Sequence, residues 1–561
     1  MKFTLALFFI LPLFIKAQTN YPQDYFSNPL EISTILSGTF AELRSNHFHS
    51  GIDIKTQQRE GLRVNAAANG FVSRIKIAHF GYGKALYITH PNGYTTVYAH
   101  LQKFAPEIEA YVKKHQYEAE SYEIELFPTA EELPVIKNTT VAYSGNSGGS
   151  SGPHLHFEIR DKEERPMNPK LFGIEVKDNT LPIVASIYAY PANKAALVNK
   201  TNSKQKLRLI PQKNGDYLVE NISAYGQIGF GIETFDRQDL AANSNGVYNI
   251  QTFVNGNKNL EVSFDRFSFD ETKHINRFID YEHYTTKRKR IQKLFNDNNP
   301  LSIVTSTIND GYLNIEDSTN TVYKIRVSDY KNNATWVTIN IKGIKDSIAE
   351  LENDEKTPYF INKTQTTTLS KDSVTVDFYQ DTFYDDFYID FDVKNDTLKL
   401  HDDTVPAMKN FNITYNISNY SDHDKTKLYI ARLVGYKNYP IYTYTKRKEN
   451  TLIASTKTLG KYTLAIDTIA PSITPVNFKK EQWLSKYRYL KIKIDDNQSG
   501  ISNYRATING KWILMEYDYK TKMLVFDFND GIVTDTKNNL KVIVTDNVGN
   551  NSTFEALFYR K

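Results

Sequence analysis

The chain has 561 residues, of which 40% are hydrophobic and 24% are charged, and its formal net charge is only +4. A charge this small over this length does not imply a dedicated nucleic-acid partner, and the absence of cysteine excludes disulfides, thiol catalysis and thiolate metal sites. The length predicts roughly three to five domains, and the 38 tyrosines and 32 phenylalanines favour a mainly β protein.

Residues 1–17 are predicted to form a secretory signal peptide. Lys2 precedes an apolar run from Phe3 to Ile15, and Ala17 follows as a small residue at the cleavage site. The run of about thirteen residues is shorter than the roughly 18–20 that a membrane span needs. We therefore expect an exported protein in the periplasm, the cell envelope or the extracellular space, with no transmembrane span in its mature form.

Most histidines of the chain lie in one window, residues 47–156. In "NHFHSGIDIK", His49 and Asp53 are four residues apart, and in "SGPHLHFEIR", His154 and His156 are two apart. Residues at even spacing along a strand point to the same face, so each pair can converge on one metal ion. Each pattern alone fits surface residues of a half-exposed strand equally well, and the surrounding residues must decide.

A β-hairpin is predicted between these two motifs, in "YITHPNGYTTVYAHL". Two alternating runs flank Asn92-Gly93, a dipeptide that favours a type I′ turn. Alternation places Tyr98 and His100 on one face of the second strand. The hairpin is therefore predicted to deliver a third imidazole to the same groove.

The order of "HFHSGIDIK", "YITHPNGYTTVYAHL", "AYSGNSGGSSGPHLHFEIR" and "RPMNPKLFG" resembles the lysostaphin-type (LytM-like) zinc metallopeptidases, which cut peptide bonds in bacterial peptidoglycan. The resemblance implies a LytM-like antiparallel β-sheet peptidase domain, which we place at residues 18–175. The segment 107–133 departs from the family pattern, which has a short connection there. We expect this segment to contain a short helix.

The resemblance also implies the roles of five residues and one Zn²⁺ per chain. His49, Asp53 and His156 match the zinc ligands, and His100 and His154 match the two histidines beside the water at the metal. The set agrees with general chemistry, because a catalytic zinc takes three protein ligands and leaves one position open. A nearby imidazole can accept a proton from water, and a second can stabilise developing charge. Which histidine takes which role stays open.

After about residue 175 the chain consists of short alternating runs separated by Asn, Asp and Gly. The segments "NGVYNIQTFVNG" and "SGISNYRATING" align without gaps, as do the openings "DNTLPIV" and "DTIAPSI". We predict two copies of an immunoglobulin-like β-sandwich, at 178–347 and 467–561, and a β-rich domain at 350–466. The first sandwich is enlarged by an insertion around 262–300.

The insertion contains the densest basic run of the chain, "KRKR" at residues 287–290. Such a run is typical of a solvated loop. The alternative is a contact with an acidic glycan or envelope polymer, because clustered charge attracts the opposite sign. The sequence leaves both interpretations open.

The function that these patterns favour is an exported zinc metalloendopeptidase acting on peptidoglycan peptide crosslinks. The C-terminal sandwiches would position it through contacts with envelope glycans or proteins. The alternative is a non-catalytic envelope binding module or an activator of other wall hydrolases, which would lack zinc ligands, whereas this chain has all five site residues. A third hypothesis is an exported structural or adhesion protein in which the sandwiches matter most.

Overall fold

The computed structural model describes residues 21–346 and 356–561. The predicted signal peptide at 1–17 lies outside the described residues, so export stays a prediction. Among the described helices, none combines the length and the apolar character that crossing a bilayer requires. Strands make up 46% of the chain and helices 8%, which confirms the mainly β fold class.

The N-terminal unit is built from twelve strands and one helix. The helix is α1 Pro106–Ala119, and the strands are β1 Leu36–Gly38, β2 Ile52–Lys55, β3 Arg63–Asn65, β4 Gly70–Ile77, β5 Lys84–Thr89, β6 Thr95–Ala99, β7 Leu101–Phe104, β8 Ile124–Leu126, β9 Pro134–Val135, β10 Thr140–Ser144, β11 His154–Arg160 and β12 Pro166–Met167. A nine-stranded sheet runs in the order β1-β2-β11-β6-β5-β4-β8, with β12 and β9 at its sides. β3, β10 and β7 form a second, three-stranded sheet.

Strand β11 lies between β2 and β6 and separates the core from the groove. Leu155, Phe157 and Ile159 are fully buried in the main hydrophobic core. Because side chains alternate along a strand, His154 and His156 point to the other face. Burial of the apolar residues thus fixes the direction of the two imidazoles.

The predicted hairpin is present as β5 and β6, but its turn differs from the predicted type I′. The Gly93 amide donates to the carbonyl oxygen of His90 at 2.9 Å, and Gly93 has φ +85° while Asn92 does not have a positive φ. The four-residue turn therefore runs from His90 to Gly93. Pro91 explains the difference, because its ring holds φ near −65° and suits the second position of a type I turn.

The described residues after 175 form further sheets in which most strand pairs are antiparallel and three are parallel. Residues 183–343 contribute one network of thirteen strands, namely β13 Ile183–Pro191, β14 Leu197–Val198, β15 Gln205–Leu207, β16 Leu209–Pro211, β17 Tyr217–Val219, β18 Ile222–Phe235, β19 Asn249–Val254, β20 Asn257–Ser263, β21 Gln292–Lys293, β22 Val304–Thr307, β23 Leu313–Ile315, β24 Asn320–Ser328 and β25 Ala334–Gly343. Two short helices, α2 Ile275–Phe278 and α3 Tyr281–Lys287, lie in the predicted insertion.

Two further units follow this network, and each has its own hydrophobic cluster, within residues 361–462 and 478–558. The first contains β26 Tyr359–Ile361, β27 Thr367–Lys371, β28 Val374–Phe378, β29 Phe387–Ile389, β30 Phe391–Lys394, β31 Thr397–Leu400, β32 Phe411–Asn416, α4 Asp422–Lys425, β33 Leu428–Val434, β34 Tyr439–Tyr442, β35 Thr445–Lys448, β36 Thr451–Thr456 and β37 Gly460–Ile466. The second contains β38 Ser472–Pro475, β39 Gln482–Trp483, β40 Tyr489–Asp495, β41 Ile501–Ile508, β42 Lys511–Trp512, β43 Glu516–Asp518, β44 Met523–Asp527, β45 Lys537–Asp546 and β46 Asn551–Tyr559. The immunoglobulin-like assignment and the domain boundaries stay predictions.

The core of the N-terminal unit continues into the thirteen-stranded network. Both belong to one cluster of buried residues. At the junction, the Phe267 ring lies 5.3 Å from Phe40 and 5.5 Å from Phe48, and Phe48 also contacts Phe278. The network therefore shields apolar surface of the N-terminal unit.

The predicted helix in the segment 107–133 is α1, which contacts the C-terminal unit. It begins with Pro106 in its first turn, a position that needs no amide donor. Tyr117 donates from its hydroxyl to Asp530 at 2.8 Å and packs edge-on against Trp512. Lys113 pairs with the same carboxylate at 2.5 Å. The inserted segment is thus a docking surface for residues near the C-terminal end.

We predict that Phe267→Ala lowers the free energy of unfolding by about 3–5 kcal/mol, because it removes a ring that is 1% exposed and leaves a cavity between two units. Urea titration monitored by circular dichroism measures the change. Phe127→Ala is the control, since its ring is 69% exposed and should cost less than about 1 kcal/mol. Equal costs for the two variants would contradict the continuous core.

Candidate metal centre

The three predicted metal ligands converge where β2 pairs with β11. His156 lies directly opposite Asp53 in the antiparallel register. His156 Nδ1 is 2.9 Å from Asp53 Oδ1, and His49 Nε2 is 3.0 Å from both of these atoms. All three side chains are buried, with 3–6% of their surface exposed. One ion can therefore reach one atom of each residue.

In His49 and His156, the ring nitrogen that points away from the centre is held by a hydrogen bond. The other nitrogen of each ring faces the place where a cation would bind. His49 Nδ1 donates to the carbonyl oxygen of Thr39 at 2.7 Å, and His156 Nε2 donates to Glu158 Oε1 at 2.8 Å. Burial lowers the pKa of His156, but hydrogen bonds to Asp53 and Glu158 outweigh burial and raise the pKa to about 9, so a cation that binds at Nδ1 must displace a proton there. Once that proton has left, the ring presents a lone pair to the centre. Two imidazole nitrogens and one carboxylate oxygen form a donor set that fits Zn²⁺ with one position left open. The role of each residue as a ligand stays a prediction.

Asp53 is held as a carboxylate by positive groups on both sides. Arg44 Nη2 pairs with its Oδ2 at 2.9 Å, which leaves Oδ1 for the centre. Burial raises the pKa of this carboxyl, but His49, His154 and His156 outweigh burial and hold the pKa well below its usual range. The group is therefore ionised at neutral pH and can accept a cation.

His154 and His100 lie beside the three converging residues. His154 Nε2 is 3.4 Å from Asp53 Oδ1, and the His100 ring centroid is 4.8 Å from that of His154. Their Nδ1 atoms donate to the carbonyl oxygens of Gly152 and Ser147, at 2.8 and 2.9 Å. In the neutral form of either ring, Nε2 is then the proton acceptor.

His100 reaches the groove by a different route from the one that the sequence predicts. Ala99 lies opposite His156 in the register, so Tyr98 must point to the other face. Tyr98 is indeed buried in the core, where its hydroxyl oxygen accepts a hydrogen bond from the Ala67 amide at 2.8 Å. The predicted common face of Tyr98 and His100 is wrong. His100 has φ 59°, and this left-handed conformation ends the alternation and turns the ring toward His156.

Sequence reasoning missed a buried carboxylate behind the centre. Glu158 is fully buried and accepts hydrogen bonds from His156 Nε2, from Ser50 Oγ at 2.6 Å, from the Tyr82 hydroxyl, and from Arg160 Nε at 2.6 Å. Burial raises the pKa of this carboxyl, but Arg160 and His156 lower it well below its usual range. Glu158 follows His156 by two residues on the same strand, and this spacing was the available signal.

The centre opens into a cleft of about 1290 Å³. One wall comes from the N-terminal unit and includes residues 149–154. Four further lining residues, Leu240, Phe269, Thr272 and Arg290, belong to the thirteen-stranded network or its insertion. The cleft therefore lies between two units, although the sequence motifs for the site end near residue 173.

Two families match parts of the chain. Residues 47–125 match Peptidase family M23, and this range includes His49, Asp53 and His100. Residues 358–467 match a Zu5-like domain, close to the β-rich domain predicted at 350–466. The N-terminal unit therefore contains an M23 peptidase domain, as its resemblance to the lysostaphin-type enzymes predicts.

Curated relatives match the same part of the chain. The DD-carboxypeptidase/endopeptidase Mpg of Neisseria meningitidis is 30% identical over 156 residues, which cover 28% of this chain and 30% of the relative. An uncharacterized metalloprotease of Haemophilus influenzae is 33% identical over 127 residues, 22% of each chain. The chain thus spans less than a third of the length of these relatives. The M23 protein EnpA of Enterococcus faecalis, a solved catalytic domain, is 22% identical with a TM-score of 0.19 over 27% of this chain and 97% of that one.

We predict that His100 stays neutral from pH 5 to pH 8. Burial and the neighbouring His156 and His154 rings lower its pKa from 6.5 to about 3, and a bound cation would lower it further. NMR titration of protein with ¹⁵N-labelled histidines measures this, with His100→Gln used to assign the signal. A His100 signal that titrates near pH 6.5 would contradict the expectation.

Proposed function

We propose that this chain is an exported zinc metalloendopeptidase that hydrolyses peptide bonds in the peptidoglycan crosslinks of the cell wall. One observation carries the proposal. His49, Asp53 and His156 converge within 4.8 Å beside two further histidines, in a chain with an M23 peptidase domain. The match to a relative named DD-carboxypeptidase/endopeptidase supports the substrate class.

His49 Nε2, Asp53 Oδ1 and His156 Nδ1 would hold the zinc ion. When bound, zinc supplies a Lewis acid that lowers the pKa of water and polarises a peptide carbonyl. Arg44 holds the second oxygen of Asp53, and Thr39 and Glu158 hold the outer ring nitrogens. These contacts keep the three donor atoms in place before the substrate arrives.

The two remaining histidines, His100 and His154, are the candidates for the general base. Both present Nε2 as an acceptor because their Nδ1 protons are held by backbone carbonyl oxygens. The low pKa of His100 makes it costly to hold a proton there. We therefore assign the general base to His154, which would take a proton at Nε2 from the water that attacks the peptide carbonyl carbon and pass it to the amine nitrogen as the C–N bond breaks. His100 Nε2 orients the reacting groups by accepting a hydrogen bond.

Digestion of purified peptidoglycan tests the proposal directly. The zinc-loaded full-length protein should release peptides with new amino and carboxyl termini at the crosslinks, which mass spectrometry identifies. The same protein treated with a chelator is the control. An unchanged peptide profile with the zinc-loaded protein would favour a binding module or an activator of other hydrolases.

A second experiment distinguishes the three metal ligands from the two histidines beside them by zinc content and activity. Single substitutions of His49, Asp53 or His156 by Ala should lower both zinc content and activity, because each removes a bond to the metal. His154→Ala and His100→Ala should keep about one zinc per chain and lose about two to four orders of magnitude in turnover. Elemental analysis and a peptide hydrolysis assay measure the two quantities. Loss of zinc in His154→Ala with retention in His156→Ala would reverse the assignment.

Glu158→Gln should weaken zinc affinity about 10- to 100-fold, the usual effect of losing a partner of a metal-bound histidine. Competition with a chromophoric chelator measures the affinity. Ser50→Ala is the matched control, since it removes one hydrogen bond to Glu158 and keeps the carboxylate that His156 contacts. Equal affinities in wild type and Glu158→Gln would assign Glu158 to fold stability alone.

A further inference from the structure

The insertion of the thirteen-stranded network brings one arginine to the cleft. Helix α3 ends at Lys287, and Arg288 follows it with φ 60°, a left-handed conformation that stops the helix. Two residues later, Arg290 lines the same cleft as His49 and His154. The basic run 287–290 therefore has one member at the candidate active site.

Uncharged groups hold the Arg290 side chain in place. Its guanidinium carbon lies 4.4 Å from the centroid of the Tyr284 ring. Its Nη2 donates to the Tyr284 hydroxyl oxygen at 3.2 Å and to Ser45 Oγ at 3.3 Å. Ser45 and Tyr284 also bond to each other at 2.6 Å, so they form a fixed support for the guanidinium.

Some N–H donors of the Arg290 guanidinium have no hydrogen-bond partner among the described residues. Arg290 Nε is buried and has no hydrogen-bond partner. Within residues 21–346 and 356–561, Arg290 forms no ion pair with a carboxylate, whereas Arg44 in the same cleft pairs with both Glu42 and Asp53. Within the same residues Nη1 also has no hydrogen-bond partner, and it is not enclosed as Nε is, so a carboxylate in the cleft can reach the guanidinium at its Nη atoms and pair with its charge.

The other three basic residues of the run fit the solvated loop. Lys287 and Arg288 are exposed, and Lys289 pairs with Glu233 at 3.3 Å on the surface. The lining of the cleft includes Arg290 and none of these three residues. The run thus divides into a surface part and one residue that faces the cleft.

We propose that Arg290 binds a carboxylate of an acidic peptide substrate, so that the unit after the peptidase domain completes the substrate site. The proposal rests on the proposed function, since the peptide that occupies the cleft is the one to be cleaved. Arg290 would act on binding and orientation, because its hydrogen bonds are with Ser45 and Tyr284 and, among the described residues, it forms none with the three metal-ligand candidates. Peptides that carry a free carboxylate are the substrates it selects.

Steady-state kinetics with the zinc-loaded full-length protein test the proposal. The probe is a crosslinked dimer of peptidoglycan stem peptides, used as the free acid and after amidation of its carboxylates. Arg290→Gln should raise KM for the free acid roughly ten- to hundredfold, with kcat little changed, and should leave KM for the amidated dimer nearly unchanged. Arg290→Lys keeps the charge without the fork and should recover part of the preference for the acid.

Arg288→Gln is the matched control, because it makes the same substitution in the same run on a side chain that does not line the cleft. It should behave as wild type on both dimers. If Arg290→Gln matches wild type on the free acid, or weakens acid and amide equally, the proposal is wrong. Circular dichroism shows whether each variant is folded, and Arg290→Lys gives a second measurement should Arg290→Gln not fold.

Equilibrium binding separates this proposal from the proposed function. Isothermal titration with an uncrosslinked stem peptide, as acid and as amide, needs no turnover. Wild type should bind the acid roughly ten- to hundredfold more tightly than the amide, and Arg290→Gln should lose this preference. If the protein cleaves neither dimer but shows this preference, the peptidase proposal fails and the carboxylate site stands. Equal binding of acid and amide by wild type would overturn the carboxylate site, whatever the cleavage result.

Discussion

The antiparallel register of β2 against β11 is the constraint on which the site depends. It places His156 opposite Asp53, and the same alternation sends Leu155 and Phe157 into the core. A shift of the register by one residue would turn the histidines into the core and the apolar side chains into the groove. Burial of the apolar residues therefore stabilises the geometry of the metal-binding atoms, and His49 completes it from the segment before β2.

Hydrogen bonds around the centre also fix the orientation of the four imidazole rings. Carbonyl oxygens of Thr39, Ser147 and Gly152 and the Glu158 carboxylate each accept from one ring nitrogen. Each acceptor holds one nitrogen of its imidazole ring as a hydrogen-bond donor and leaves the other nitrogen facing the centre. Three of the acceptors lie in residues 147–158 and Thr39 lies more than a hundred residues earlier, so the folded unit brings two separate segments together around the rings.

The units after the peptidase domain contact it in several places, two of which bear on the site or on its support. The insertion around α3 forms part of the cleft wall, and residues 512–530 pack against α1 and β5. Lys84 of β5 is buried, which lowers the pKa of its ammonium group, but Glu516 at 2.8 Å outweighs burial and raises it. An ion pair whose lysine is this deeply enclosed resists separation, because one partner alone would leave an uncompensated charge. The C-terminal part of the chain is therefore packed firmly against the peptidase domain.

The sequence by itself determined the mainly β class, the hairpin before His100 and the common face of His154 and His156, because alternation and turn residues act over short distances. The spacing of His156 and Glu158 carried the same kind of signal. Three features were decided only by tertiary structure: the left-handed backbone that turns His100 to the groove, the core shared by two units, and the position of Arg290 in the cleft. Each depends on packing between segments far apart in the chain, and no local pattern of residues encodes which distant surface a side chain will meet.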